Sequence, residues 1–226
     1  MLRAVVFDAV GTLLVPNPPV AEVYGAVGRR YGSRYRVEQL RGRFAQAFAI
    51  EEALDRAAGW VTDEGRELRR WRDIVARVLD DVADPDGCFT DLYEHFARPT
   101  SWICVPGAGS LLAELRRIPL KTAIASNFDH RLLPIVQGLP KLAGLDGVFV
   151  SSALGWRKPA REFFEAVVRG LDVRAEEVLY VGDDPTNDLH GATEAGMRAV
   201  LFDRKIDDIR EAVRSIAGLP VSRTSP

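Results

Sequence analysis

The chain contains two kinds of hydrophobic pattern: short unbroken apolar runs, and apolar residues spaced by three or four positions. The unbroken runs, several of them rich in β-branched residues, predict strands that are buried on both faces. They lie at 4–7, 121–126, 148–151, 178–183 and 199–202. From residue 103 onward, segments with helical spacing separate the runs, and this alternation predicts a parallel sheet with helical crossovers. The sequence therefore indicates an α/β fold with a doubly wound parallel sheet.

The segment 16–99 has a different pattern, because its apolar residues follow helical spacing throughout. Two stripes stand out, one through Leu40, Phe44 and Phe48 and one through Leu68, Trp71, Val75, Val78 and Val82. Proline-containing breaks at 16–19 and at Pro99 bound the segment. We therefore predict an all-helical insertion over 16–99 in a core made of 1–15 and 100–226.

Two parts of the chain are expected to be exposed to solvent: a group of arginines in the insertion and the last six residues. Four arginines fall mostly off the second stripe: Arg66, Arg69, Arg70 and Arg72. Charges on that side of an amphipathic helix are usually solvated. We interpret them as a solvated basic face rather than an anion site. The last six residues, 221–226, are expected to be frayed.

Composition narrows the functional class. The chain has 226 residues, 47% of them hydrophobic, which suffices for one large domain or two smaller ones. A formal net charge of −2 does not favour a nucleic-acid partner. The two cysteines, Cys88 and Cys104, do not make a disulfide framework, and we expect a reduced, cytoplasmic protein. We identify no signal peptide and no apolar run that could span a membrane, so no membrane partner is expected.

Polar residues lie where three of the predicted strands end: Asp8, Ser126, and Asp183 with Asp184 and Asp188 close behind. The carboxyl ends of parallel strands meet at one edge of the sheet, so these side chains should converge. Converging carboxylates repel one another unless a cation is present, and hard oxygen ligands suit Mg²⁺. Lys158, which precedes a predicted helix, would supply a positive charge for an anionic substrate.

Each of these residues also has a purely structural interpretation. Asp8 alone could cap a turn, Ser126 and Asn127 could cap the helix that follows, and the acids at 183–188 could cap an exposed turn. Lys158 taken alone is typical of a solvated turn. The combination, and no single residue, favours a functional site.

Together the four segments resemble the motifs of the haloacid dehalogenase (HAD) superfamily, in the same order along the chain. They lie at 8–12, 126–127, 158–159 and 182–188. The resemblance covers the whole chain and implies a Rossmann-like HAD core in which the helical insertion is a cap domain. The sequence around the second and third motifs is most similar to the group called haloacid dehalogenase-like hydrolase domain-containing protein 3.

The resemblance implies a Mg²⁺-dependent phosphohydrolase that acts on a small phosphorylated metabolite. Asp8 would be the nucleophile and form an aspartyl-phosphate. Asp8, Asp183 and the backbone carbonyl of Val10 would hold the Mg²⁺, and Asp188 would support it directly or through water.

The resemblance also implies how the phosphate would be held. Ser126 and the amide of Asn127 would bind phosphoryl oxygens, and Lys158 would balance their charge. Thr12 would help to orient the phosphate, and Gly11 allows a tight turn beside the bound group.

One residue departs from the family pattern. Phosphatases of this superfamily carry a general acid/base aspartate two positions after the nucleophile, whereas Val10 stands there. General acid/base help is typically worth about 10²–10⁴-fold in rate. We therefore expect a phosphohydrolase that is slow or restricted to good leaving groups.

Two alternatives remain. One is a catalytically weakened protein that binds a phosphate or metabolite with the same fold. The other, less favoured because the acids of the fourth motif are present, is a 2-haloacid dehalogenase. In the cap, Trp60, Trp71 and Tyr93 could face a substrate, but we expect them in the core of the cap.

Overall fold

The computed structural model describes residues 1–203 and 205–217, so the segment 221–226, predicted to be frayed, lies outside the described residues. The strands are β1 (Ala4–Phe7), β2 (Leu14–Pro16), β3 (Trp102–Cys104), β4 (Lys121–Ser126), β5 (Gly147–Val150), β6 (Val178–Gly182) and β7 (Arg198–Leu201). The helices are α1 (Val20–Arg30), α2 (Val37–Ala57), α3 (Glu64–Val78), α4 (Pro85–His95), α5 (Ala108–Leu115), α6 (Leu132–Gln137), α7 (Ser151–Leu154), α8 (Arg161–Leu171), α9 (Gly191–Glu194) and α10 (Ile206–Ala217). A π-helical turn spans Pro185–His190. None of the helices in the two described ranges is long and apolar enough to cross a membrane.

Five of the strands form a parallel sheet in the order β5-β4-β1-β6-β7, with β1 at its centre. All four residues of β1 are buried, as its unbroken apolar run predicts. The register places Phe7 beside Ile124 of β4 and Val181 of β6, so the three strands end at the same edge. The five predicted strands are confirmed to within one residue at each end.

Helices cover both faces of this sheet. Val5 and Phe7 of β1 pack on one side, in the core cluster that also contains residues of α5, α6 and α10. Ala4 and Val6 pack on the other side, with residues of α8 and α9. Successive β1 side chains therefore enter two separate cores, and the predicted doubly wound α/β class is confirmed.

Helices α1–α4 lie between β2 and β3 and share a core of their own, which contains Leu40, Ile74 and Leu92. β2 and β3 pair antiparallel where the chain leaves the sheet and returns to it. This ribbon was not predicted, because a three-residue strand that ends in proline has no period to detect. The division of the chain into 1–15 with 100–226 and 16–99 stays a prediction.

The prediction of a solvated basic face around α3 was wrong in part. The Arg70 side chain is 1% exposed and that of Arg66 is 21% exposed, whereas Arg69 and Arg72 are exposed as predicted. Leu68, assigned to the apolar stripe, is exposed instead. The physical reason is that acidic side chains of α2 pair with the buried arginines and allow that face of α3 to pack inward.

Candidate active site

Three carboxylates meet at the carboxyl edge of the sheet. Asp8 directly follows β1, Asp183 directly follows β6, and Asp188 lies in the π-helical turn beyond it. One carboxylate oxygen from each residue lies within 4.8 Å of those from the other two. The convergence predicted for the ends of parallel strands is therefore present for these acids.

Lys158 lies among these carboxylates. Its side chain is 4% exposed, and Nζ donates hydrogen bonds to Asp8 Oδ1 at 2.6 Å and to Asp188 Oδ1 at 2.5 Å. Burial alone would lower the pKa of Lys158, but Asp188 and Asp8 outweigh it and raise that pKa well above its usual value. The lysine is therefore charged and fixed within the cluster, so the interpretation as a solvated turn residue was wrong.

The cluster carries more negative than positive charge, because three carboxylates face one ammonium group. Burial raises the pKa of Asp8 to about 6, against the opposing effect of Lys158 and with the help of Asp188. Burial also raises the pKa of Asp183, although a hydrogen bond from Thr12 acts the other way. A single divalent cation would balance the charge, and a donor set of carboxylate oxygens fits Mg²⁺.

Two glycines allow the acids to come this close. Gly11 has φ of +97°, and a Cβ at this position would overlap the carboxylate of Asp183. A Cβ at Gly182 would likewise overlap the carboxylate of Asp188. The tight turn predicted at Gly11 is confirmed, and both positions exclude any larger side chain unless the carboxylates move.

The side chain of Asn127 fixes the backbone of Lys158. Oδ1 accepts from the Lys158 amide at 2.7 Å, and Nδ2 donates to the Lys158 carbonyl at 3.1 Å. Sequence reasoning assigned only the backbone amide of Asn127 and missed this clamp. Ser126, the last residue of β4, is 3% exposed and lines the same cavity as Asp8. Neither Ser126 nor Asn127 caps α6, whose N-cap residue is Arg131.

Thr12 and Asp184 make contacts within the site loops. The Thr12 hydroxyl is fully buried and donates to Asp183 Oδ1 at 3.1 Å, and its contact with phosphate stays a prediction. Asp184 Oδ1 accepts from the amides of Thr186 and Asn187, both at 2.8 Å. Asp184 thus caps the π-helical turn, as the structural interpretation of these acids predicts, while its neighbour Asp188 joins the cluster.

A cavity of about 300 Å³ lies over the acidic cluster, between the sheet edge and the helices α1–α3 of the insertion. Asp8, Ser126 and Lys158 line one end of it. Val10 also lines the cavity and is 36% exposed, so the side chain two positions after Asp8 faces this space. Aromatic residues make up much of the remaining wall.

The cap aromatics differ in their positions. Trp60 lines the cavity and is not part of the core of the helical insertion, so the expectation was wrong for this residue. Trp71 lines the cavity and also packs against that core, as expected. Tyr93 instead packs against Arg131, whose guanidinium carbon lies 3.7 Å from the centre of its ring. The spacing of these aromatics along the chain could not show which of them line the cavity.

A buried ion-pair group joins helices α2 and α3 of the insertion to Arg157 beside the cavity. Its members are Glu51, Asp55, Arg66, Glu67, Arg70 and Arg157, of which only Arg66 exceeds a tenth in exposure. Arg157, from the core, bonds to Glu67 of α3 and lies 3.3 Å from Asp55 of α2. The backbones join at the same place, because the Arg157 amide donates to the Trp60 carbonyl at 2.8 Å.

Sequence reasoning missed this buried ion-pair group, although a signal for it exists. The acids Glu51 and Asp55 lie four residues apart, and so do Arg66 and Arg70. Side chains at that spacing share one face of a helix. A pair of acids on one predicted helix and a pair of arginines on the next, at the same spacing, would have indicated that the two helices pack together through these charges rather than expose them to solvent.

The comparison with known proteins decides the family. The family model for haloacid dehalogenase-like hydrolases matches residues 2–196. The chain belongs to this family. A relative of this HAD-like hydrolase is the Homo sapiens protein named Haloacid dehalogenase-like hydrolase domain-containing protein 3. It is 30% identical over 206 residues, which cover 88% of this chain and 81% of the relative.

Solved structures similar to this HAD-like hydrolase carry different reactions in their names. The L-2-haloacid dehalogenase from Xanthobacter autotrophicus, with chloropropionic acid covalently bound, is 25% identical with a TM-score of 0.71 and covers 100% of this chain and 85% of its own. A HAD phosphatase from Thermococcus onnurineus is 22% identical with a TM-score of 0.67 and covers 97% of this chain and 100% of its own. The fold is therefore shared by both classes, and the choice between them depends on the site.

Proposed function

We propose that this HAD-like hydrolase is a Mg²⁺-dependent phosphohydrolase that forms an aspartyl-phosphate on Asp8. The proposal is supported chiefly by the charged groups that surround Asp8. This carboxylate lines the cavity and lies beside two further acids, while one lysine neutralises only part of their charge. An anionic substrate could approach such a carboxylate only with a cation present, and phosphate esters commonly bind proteins through Mg²⁺.

The residues that would hold Mg²⁺ are Asp8, Asp183 and Asp188, together with the backbone carbonyl of Val10 that the family resemblance implies. The three carboxylates are already in position to share one cation. The bound Mg²⁺ would neutralise charge on the phosphoryl oxygens.

The protein's own residues would perform the two chemical steps. A carboxylate oxygen of Asp8 would attack phosphorus, and the bond from phosphorus to the leaving oxygen would break with its electron pair going to that oxygen. Water would then attack phosphorus and break its bond to Asp8, which regenerates the carboxylate and releases inorganic phosphate. Lys158 would keep Asp8 oriented through its 2.6 Å hydrogen bond, while Asn127 fixes the lysine backbone.

The valine at position 10 limits the first step. A valine side chain cannot donate a proton to the leaving oxygen, and no side chain of the first motif takes its place. We propose that turnover is slow for leaving groups that must be protonated, and is faster for those that are stable as anions.

A 2-haloacid dehalogenase is the second candidate, because a solved enzyme of that class is 25% identical to this chain with a TM-score of 0.71. The three clustered carboxylates favour phosphoryl chemistry instead, since displacement of a halide from carbon requires no divalent cation. A catalytically weakened binding protein is the third candidate. It would assign no function to the hydrogen bond by which Lys158 orients Asp8.

The test is a set of turnover measurements on the wild type and on Asp8→Asn, with and without Mg²⁺. Phosphate release from p-nitrophenyl phosphate and from sugar and nucleotide phosphates would be measured beside halide release from 2-chloropropionate. Mg²⁺-dependent phosphate release that Asp8→Asn abolishes would support the proposal. Halide release alone would favour the dehalogenase, and the absence of any turnover would favour the binding protein.

A further inference from the structure

We infer that the substrate is a phosphate monoester of a phenol, with a single aromatic ring bonded directly to the bridging oxygen. This inference rests on the proposed phosphohydrolase function and names the class of ester that the same site takes. Two independent features of the cavity carry it: the chemistry of its walls, and the residue that faces the leaving group.

The walls of the cavity are aromatic on both the cap side and the core side. Eight aromatic side chains line it, among them Phe44, Phe48, Trp60 and Trp71 from the helical insertion and Trp102 and Phe128 from the core. Aromatic rings attract one another in edge-to-face and offset arrangements as well as by burial. A ring placed among them gains contacts that a sugar or a short alkyl chain does not.

Most of the charged side chains in the same wall are paired within the protein. Arg70 and Glu67 line the cavity, but Arg70 pairs with Asp55 and Glu67 pairs with Arg157. Two buried polar atoms in the wall, Arg70 Nη2 and Asn187 Oδ1, have no hydrogen-bond partner among the described residues. They could serve at most a few hydroxyl groups of a polyol such as a sugar phosphate, and the remaining buried hydroxyl groups would oppose binding. The wall therefore favours an apolar leaving group over a polyol.

The size of the cavity limits the ring system. At about 300 Å³ the cavity lies at the lower end of the range found for small-molecule pockets, about 300–1,000 Å³. The phosphoryl group must occupy the end beside Asp8, and the remaining space accommodates an aromatic ring.

The second feature is Val10, which lines the cavity next to Asp8 and cannot protonate the leaving oxygen. A phenol such as the tyrosine side chain has a pKa of about 10, whereas water has a pKa of about 15.7 and alkanols are close to water. A phenolate therefore leaves without a proton from the protein, whereas an alkoxide does not. The aromatic wall and the need for a leaving group that is stable as an anion therefore favour the same class of ester, the phosphate monoesters of phenols.

The step balances without a further reactant. An Asp8 oxygen forms a bond to phosphorus, the bond from phosphorus to the phenolic oxygen breaks, and the electron pair leaves with the phenolate. Solvent protonates the phenolate after release, and water hydrolyses the aspartyl-phosphate.

The experiment separates the effect of the aromatic ring from the effect of the leaving group by comparing four phosphate compounds. The full chain would be used in the presence of Mg²⁺. Phenyl phosphate has the ring and a stable leaving anion, and benzyl phosphate has the ring with an alkoxide leaving group. Acetyl phosphate has a stable leaving anion without a ring, and ethyl phosphate has neither. The kcat and KM for phosphate release would be measured for each, after subtraction of spontaneous hydrolysis.

We expect kcat/KM for phenyl phosphate to exceed kcat/KM for benzyl phosphate by at least about 10²-fold, the lower end of what general acid catalysis supplies. The ratio kcat/KM is compared because hydrolysis of the aspartyl-phosphate is common to all four compounds and does not depend on the leaving group. We expect KM for phenyl phosphate to lie at least about 10-fold below KM for acetyl phosphate, because only the former buries a ring. Equal kcat/KM for the two ring esters, or equal KM with and without the ring, would overturn the inference. Turnover confined to acetyl phosphate would overturn the inference and keep the proposed function, whereas no turnover of any ester would remove both.

A pair of variants tests whether the walls themselves select the ring. Phe48→Leu should raise KM for phenyl phosphate several-fold and leave KM for acetyl phosphate unchanged, because Phe48 lines the cavity. The matched control is Phe89→Leu, which alters a buried aromatic of α4 in the core of the cap. If both variants change KM for the two esters equally, the wall does not select the ring and the inference fails.

Discussion

The contact between Arg157 and Glu67 offers a quantitative test of how the cap is held on the core. The Glu67 side chain is 2% exposed, and Arg157 is its ion-pair partner across the boundary between cap and core. After Arg157→Leu the carboxylate would keep the Thr62 hydroxyl, which donates to Oε1 at 3.0 Å. A lost pair of unit charges about 4 Å apart corresponds to about 4 kcal/mol at an effective dielectric constant of about 20. Removal of one partner from a buried pair typically costs about 3–5 kcal/mol, which agrees.

Urea unfolding would measure this loss as a lower midpoint, and thermal unfolding would show a Tm lower by about 10 °C for a chain of this length. The double variant Arg157→Leu with Glu67→Leu should be no less stable than either single variant, because an apolar pair leaves no charge buried without a partner. That outcome corresponds to a coupling free energy of at least about 3 kcal/mol, at the upper end of measured values. The matched control is Arg161→Leu, whose exposed pair with Glu165 on α8 should be worth about 1 kcal/mol or less. Single variants as stable as this control, or a strictly additive double variant, would refute the reasoning.

Three further predictions concern the site. Asn127→Ala removes both hydrogen bonds to the Lys158 backbone and should lower kcat by about 10–10²-fold with little change in Tm; an unchanged kcat would show that the clamp does not position the lysine. Gly11→Ala would push a Cβ into the Asp183 carboxylate and should weaken Mg²⁺ binding by at least about 10-fold in a calorimetric titration, while wild-type affinity would contradict the proposed ligand set. Val10→Asp should raise turnover of ethyl phosphate more than that of phenyl phosphate, with Tm checked alongside; equal effects on both esters would contradict the account of Val10.

The strands and the acidic cluster could be predicted from sequence because each depends on local pattern. β1 is an unbroken apolar run that a parallel sheet buries on both faces, and Asp8 directly follows it. Asp183 ends β6 in the same way, and parallel strands must end at a common edge. For these residues, local pattern and topology determine the position together.

The remaining features depend on contacts between distant segments. Arg70 carries no sign of burial in its own helix, and only the acids of α2 explain why it packs inward. The Asn127 side chain bonds to a backbone 31 residues away, so no spacing within its motif predicts the clamp. The ribbon of β2 and β3 joins two short segments on either side of the helical insertion, and neither segment alone has a periodic pattern.

The most direct test of the central claim is the detection of phosphate on Asp8 itself. The wild type would be mixed with phenyl phosphate and Mg²⁺, quenched in acid during turnover, digested, and analysed by tandem mass spectrometry, with Asp8→Asn treated in parallel. We expect a phosphorylated peptide with the modification on Asp8, formed only with Mg²⁺ and absent from the variant. Phosphate release without any phosphorylated Asp8, or equal release by Asp8→Asn, would contradict it.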